Sequence, residues 1–184
     1  MPATQISEEL LARASKVKLL LLDCDGVLTD GRIYFLPNPD GTVGETKCFC
    51  TQDGIALQWA YRHGIETGII SGRGGLAVQE RARSAHMKYL FEGHTDKLPL
   101  FNQILEESGY TADQIGYVGD DITDLPILKR AGFAAAPSNS RPEILEMVHY
   151  RIPAPGGSGA IRDVMELLLK SQGKWDDVWN HYDV

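Results

Sequence analysis

Apolar and polar positions follow two rhythms along this chain. Residues 17–22, apolar except for Lys18, end in Leu19-Leu20-Leu21-Leu22, the pattern of a strand buried on both faces. Residues 66–70, 87–91, 114–118 and 133–136 read as four further strands. Between them the period becomes helical. Ile55, Trp59 and Ala60 share a face in 52–63, and Gly64 is placed to end that helix. Leu98, Phe101, Ile104 and Leu105 form a stripe in 95–108, with Pro99 in the first turn and Gly109 at the end. Ile161, Val164, Met165 and Leu168 mark 160–170, and the segments 76–85, 125–129 and 141–147 read as the remaining helices.

Strands that alternate with helices are joined by crossovers, so they lie parallel with helices on both faces. The predicted fold is α/β, a three-layer parallel sheet forming a single domain over residues 1–184. The alternation breaks between residues 31 and 50. There, β-like stretches at 33–36 and 43–49 flank the turn cluster Pro37-Asn38-Pro39-Asp40-Gly41, which predicts a β-hairpin projecting from the sheet. The tail, 172–184, carries Trp175, Trp179 and Tyr182 and is expected to pack against the body.

Composition narrows the function classes. The chain has 184 residues, a net charge of −7 and no strongly basic stretch, which argues against nucleic acid as a partner. No apolar run is long enough for a membrane span, and the first 16 residues lack a signal-peptide core; a cytoplasmic protein is expected. Three cysteines without scaffold spacing suit a reducing compartment. Cys48 and Cys50 are too few and too isolated to suggest zinc, and His63, His86, His94 and His149 show no ligand spacing.

In open parallel sheets, ligands bind beyond the carboxyl ends of the strands. Asp23 and Asp25 follow the first predicted strand, and Ser71, Gly72 and Arg73 follow the second. Lys97 comes shortly after the third, and Asp120, Asp121 and Asp124 follow the fourth. Carboxylates crowded at one rim repel each other unless a cation lies between them, and Mg²⁺ is the natural oxygen-binding candidate. Asp23 and Asp120 are the predicted metal ligands. Ser71 and the Gly72 N–H suit phosphoryl oxygens, and Lys97 suits the charge that gathers there. Asp23 is placed to attack phosphorus, with Asp25 as general acid and base. Arg73 suits an anion, and Arg162, one turn into the last predicted helix, a substrate carboxylate. The glycine-rich 156–159 is either an anion-binding turn or a plain tight loop.

The stretch Asp23-Cys24-Asp25-Gly26-Val27-Leu28-Thr29-Asp30-Gly31 resembles the first motif of haloacid dehalogenase (HAD) superfamily phosphatases. Ser71, Lys97 and Gly119-Asp120-Asp121-Ile122-Thr123-Asp124 resemble the second to fourth, in order. Phe49, Asp53-Gly54, Ser71-Gly72-Arg73, Leu125-Pro126 and Gly156-Gly157-Ser158-Gly159-Ala160-Ile161-Arg162 resemble a cap-less subgroup acting on phosphorylated 3-deoxy keto sugar acids. The resemblance implies a Rossmann-like fold and Mg²⁺-dependent hydrolysis through an aspartyl-phosphate. It implies Asp23 as nucleophile, Asp25 as acid/base with its backbone carbonyl on the metal, and Asp120 as a ligand supported by Asp121 and Asp124. It also implies a role in lipopolysaccharide assembly and a homotetramer whose neighbouring hairpin and tail close each site. An eight-carbon acid 8-phosphate is the expected substrate. A nine-carbon sialic-type 9-phosphate and a non-catalytic phospho-acceptor module are the alternatives.

Overall fold

The computed structural model describes residues 6–183. The chain opens with α1 (Glu8–Ala14), where the Ser7 hydroxyl accepts the Leu10 N–H at 3.1 Å. It then enters β1 (Leu19–Leu22) and an antiparallel hairpin, β2 (Tyr34–Pro37) and β3 (Val43–Thr46). Alternation follows: α2 (Thr51–Arg62), β4 (Glu66–Ile70), α3 (Leu76–Ser84), β5 (Tyr89–Phe91), α4 (Leu98–Ser108) and β6 (Ile115–Val118). The chain continues through α5 (Leu125–Leu128), β7 (Phe133–Ala136), α6 (Pro142–Leu145), β8 (Tyr150–Arg151), α7 (Ala160–Ser171) and α8 (Trp175–Tyr182). The six-stranded sheet has the order β5-β4-β1-β6-β7-β8, with every pair parallel. No helix among the described residues is long and apolar enough to cross a membrane.

The four leucines of β1 are all buried because alternate side chains enter two different cores. Leu20 and Leu22 join the layer containing α1, α2 and α7, with Trp59, Ile161, Val164 and Leu168. Leu19 and Leu21 join the layer of α4, α5 and α6, with Phe101, Ile104, Ile127 and Ile144. Each buried leucine contributes about 1.5–3 kcal/mol relative to exposure. Helices on both faces therefore make the central strand apolar at every position.

The boundaries shift where local bonds intervene. The expected strand starts at 17, but Val17 donates its N–H to the Ala14 carbonyl and closes the end of α1, so β1 begins at Leu19. The expected strand 43–49 ends at Thr46, because Lys47 turns inward. The expected helix 95–108 begins at Leu98, leaving Lys97 at its N-cap position. α1, β8 and α8 were not expected as elements. Two are short, and α1 buries only Leu10 and Ala14. The tail does pack: Trp175 meets Trp59 edge-on at 5.7 Å, and the Trp59 Nε1–H donates to the Tyr182 hydroxyl at 3.2 Å.

The 156–159 turn is filled from inside the protein. A Cβ on Gly156 would lie 1.8 Å from the Gly26 carbonyl oxygen, so this loop buttresses the turn after β1. The N-terminus of α7 is occupied by Asp53 of α2, which is buried and accepts the Arg162 N–H at 2.9 Å. A carboxylate there satisfies orphan amides and meets the positive end of the helix dipole. Asp53→Ala is therefore expected to destabilise the protein by about 2–3 kcal/mol, and Asp53→Asn by less; denaturant unfolding with an unchanged m-value measures both.

Candidate active site

The loops after β1, β4 and β6 meet at one rim of the sheet, where the strand order reverses. Asp23 lies one residue past β1, and its N–H still donates to the Val118 carbonyl of β6 at 2.9 Å. The nucleophile candidate is thus pinned to the strand ladder. The chain then turns sharply: the Leu28 N–H donates to the Cys24 carbonyl at 2.9 Å, and Gly26 adopts φ +83°. A Cβ on Gly26 would sit 2.2 Å from Asp120 Oδ2, so only glycine lets the two acidic loops approach.

Lys97 stands at the centre, with its side chain 2% exposed. Its ammonium lies 3.0 Å from Asp23 Oδ1 and 2.7 Å from Asp124 Oδ1, and 3.3 Å from the Tyr117 hydroxyl. Tyr117 in turn donates to Asp124 Oδ1 at 2.6 Å. The other oxygen of Asp124 accepts the N–H groups of Asp120 and Asp121 at 2.9 and 3.2 Å. Asp124 is thereby fully engaged in shaping the acidic loop. Asp121 accepts the Ile122 N–H on its own Oδ1 and faces the cleft.

The carboxylates bring one oxygen each from Asp23, Asp120 and Asp124 within 4.8 Å of one another. Burial, reinforced by the charge of Asp124, raises Asp23 to about 6, against the opposing pull of Lys97. Burial with repulsion from Asp124, Asp23 and Asp121 raises Asp120 to about 8. One lysine does not balance this cluster. Asp23 and Asp120 keep lone pairs directed at shared space, and an all-oxygen donor set of this charge fits Mg²⁺.

The cleft encloses about 510 Å³, the size of a small-molecule site. Asp23, Asp25, Gly72, Arg73, Lys97 and Asp120 line it, as do Gly31, Thr95, Asp121 and Thr123. Ser71 does not reach the lining. Its hydroxyl is buried and accepts the Arg73 N–H at 3.2 Å, which sets the turn that presents Gly72 and Arg73.

Arg162 is not brought to the cleft. Its guanidinium stacks 4.0 Å over the Trp59 ring and pairs with Glu166 at 2.7 Å, among α2, α7 and α8. The tail likewise lies on Trp59 and contributes nothing to the cleft lining of its own chain.

Three residues at the site, Lys47, Glu45 and Tyr117, escaped the sequence reading. Lys47, beyond β3, forks across the carboxylate of Asp25 at 2.8 and 2.9 Å. Glu45 lies 3.8 Å from Lys47 and 3.3 Å from Arg73. Both charges sit on one face of a projecting hairpin, a pattern that ordinarily marks a solvated strand face. Tyr117 was absorbed into a core strand, and only its hydroxyl hinted at more.

This sheet order and acidic rim define a HAD-type phosphatase site, and the comparisons agree. A HAD-superfamily (subfamily III A) structure from Legionella pneumophila superposes with a TM-score of 0.87 at 33% identity, covering 95% of this chain and 93% of that one. No family model matches the chain. The 3-deoxy-D-manno-octulosonate 8-phosphate phosphatase KdsC of Escherichia coli K12 is 36% identical over 172 residues, 94% of this chain and 89% of its own. The chain belongs to the KdsC family of the HAD superfamily. The Moraxella catarrhalis 3-deoxy-D-manno-octulosonate 8-phosphate phosphatase, in complex with magnesium, phosphate and KDO, has a TM-score of 0.90 at 34% identity, covering 96% of this chain and 99% of that one.

Two outcomes follow from the site. Raised carboxyl values mean that the folded protein binds extra protons between the unfolded value near 4 and the folded ones. Without a cation, stability therefore falls as pH rises through about 4–8. In chelator, the melting temperature of the wild type is expected to drop more between pH 6 and 8 than that of Asp120→Asn. Millimolar Mg²⁺ raises it by several degrees at pH 8 in the wild type alone. Separately, burial pushes the Cys24 thiol up to about 12, whereas Cys48 is exposed. Iodoacetamide on the native protein should alkylate Cys48 and spare Cys24 until unfolding, as read by peptide mass.

Proposed function

We propose that this protein is a Mg²⁺-dependent phosphomonoesterase that hydrolyses 3-deoxy-D-manno-octulosonate 8-phosphate to the free sugar acid and phosphate. The observation that carries the reading is the Asp23 carboxylate in the cleft lining, 3.0 Å from a buried lysine and two residues from a second cleft-lining carboxylate, Asp25. Family membership with the KdsC phosphatases supports the substrate.

Asp23 Oδ attacks phosphorus, forming an O–P bond as the bond from phosphorus to the sugar oxygen breaks. The departing oxygen takes its electron pair and the proton of the Asp25 carboxyl, and leaves as the alcohol. Water then attacks the aspartyl-phosphate and gives its proton to Asp25, while the phosphorus bond to Asp23 breaks and restores that carboxylate. Lys97 holds Asp23 in place and offsets the charge gathered on the transferring group. The Gly72 N–H and the Arg73 guanidinium are assigned to phosphate and substrate anion, on the turn that Ser71 sets. Asp23, Asp120 and the Asp25 carbonyl would hold Mg²⁺, which supplies a Lewis acid for a phosphoryl oxygen. Asp121 and Asp124 support that loop. Arg162, stacked away from the cleft, is left out of the reaction.

The protein is assigned to the cytoplasm, in the route to lipopolysaccharide, and to a homotetramer. Exposed Tyr34, Phe35, Leu36 and Val43 on the hairpin support assembly with other copies.

Phosphate release from a panel of phosphorylated sugar acids tests the reading. Strong turnover of the eight-carbon acid is expected with Mg²⁺ and none with chelator. Asp23→Asn should lower kcat by at least about 10³-fold, and Asp25→Asn by about 10²-fold or more. Turnover of a nine-carbon acid alone would move the substrate. No turnover of any ester by folded protein would leave the phospho-acceptor alternative.

A further inference from the structure

The reaction as written gives no part to Lys47, yet its side chain is 2% exposed. Its ammonium lies 2.8 Å from Asp25 Oδ1 and 2.9 Å from Oδ2, with Glu45 at 3.8 Å. Burying an ammonium costs several kcal/mol unless it is well paired. This placement is therefore built, and its partner is the carboxyl assigned to proton transfer.

The element that delivers Lys47 has little else to hold it. Among the described residues, β2 and β3 pair only with each other, and every residue of β2 is exposed. A lone two-stranded hairpin is marginally stable. Lys47 directly follows it, and the chain Asp25–Lys47–Glu45–Arg73 links the loop after β1 to the loop after β4 through the hairpin base.

We propose that Lys47 is a positioning residue for Asp25, tying the orientation of the acid/base carboxyl to the placement of the hairpin. When Asp25 carries the transferred proton on one oxygen, Lys47 still holds the other. The proposal rests on the phosphatase reading above. It adds that the step sensitive to Lys47 is protonation of the departing alkoxide. That step matters for a sugar ester and little for an aryl ester, whose oxide leaves unprotonated.

The test compares wild type, Lys47→Met and Lys47→Arg with Mg²⁺, on the eight-carbon keto-acid phosphate and on p-nitrophenyl phosphate. Lys47→Met is expected to lose about 30-fold in kcat/KM on the sugar ester and less than about 3-fold on the aryl ester, with KM nearly unchanged. Both values come from one sample, so their ratio is independent of the folded fraction. Lys47→Arg should recover part of the sugar-ester loss. In an Asp25→Asn background, Lys47→Met should lower sugar-ester turnover no further. Equal losses on the two esters, or no loss on either, would overturn the positioning role. A wild type inactive on both esters would remove the phosphatase reading, and this proposal with it.

Discussion

Repulsion among buried carboxylates is the constraint on which the rest of this structure depends. Asp23, Asp120 and Asp124 converge at the end of two adjacent strands, where water is largely excluded. Like charges at that range raise each other's proton affinity and oppose folding of the ionised form. The protein answers with Lys97, placed between Asp23 and Asp124, and with Tyr117 and two backbone amides on Asp124. These partners quiet one carboxylate completely. They leave Asp23 and Asp120 short of positive charge, and that shortage makes the site receptive to a divalent cation.

The backbone is arranged to make such crowding geometrically available. Gly26 has a left-handed φ and no Cβ, so the first acidic turn lies directly against Asp120. Gly156 lets the loop before α7 press on the carbonyl of Gly26 from behind. Asp53 fastens that loop's helix to α2 through the amide of Arg162. Residues distant in sequence thus carry the load of holding the first acidic turn. The glycine-rich loop, open in sequence to either an anion-binding turn or a plain tight loop, leads into a helix whose Arg162 amide is engaged by the protein's own Asp53 carboxylate.

Much of the architecture was legible in the chain. The apolar run Leu19-Leu20-Leu21-Leu22 announced a strand covered on both faces, and helical stripes such as Ile161, Val164, Met165 and Leu168 announced the helices that cover it. Asp23, Asp25, Gly72, Arg73, Lys97 and Asp120 were legible as a site because each follows a strand end, and strand ends share one rim of a parallel sheet. Arg162 was read toward a substrate carboxylate from its place one turn into the last predicted helix. In the fold its side chain lies on the aromatic face of Trp59 and pairs with the carboxylate of Glu166, outside the cleft lining. Lys47 was invisible because its burial comes from packing against Asp25, 22 residues away.

The sequence by itself determined the parallel sheet, the projecting hairpin and the set of acidic loops on one rim. Those follow from periodicity and turn chemistry, which act over a few residues. Only the tertiary structure decided which side chains face the cleft. That choice depends on competition between partners brought together from different elements: Arg162 between substrate and Trp59, Ser71 between the cleft and the Arg73 amide, Lys47 between solvent and Asp25. The energies of such contacts are set by distance and burial, and neither is written in the order of residues along the chain.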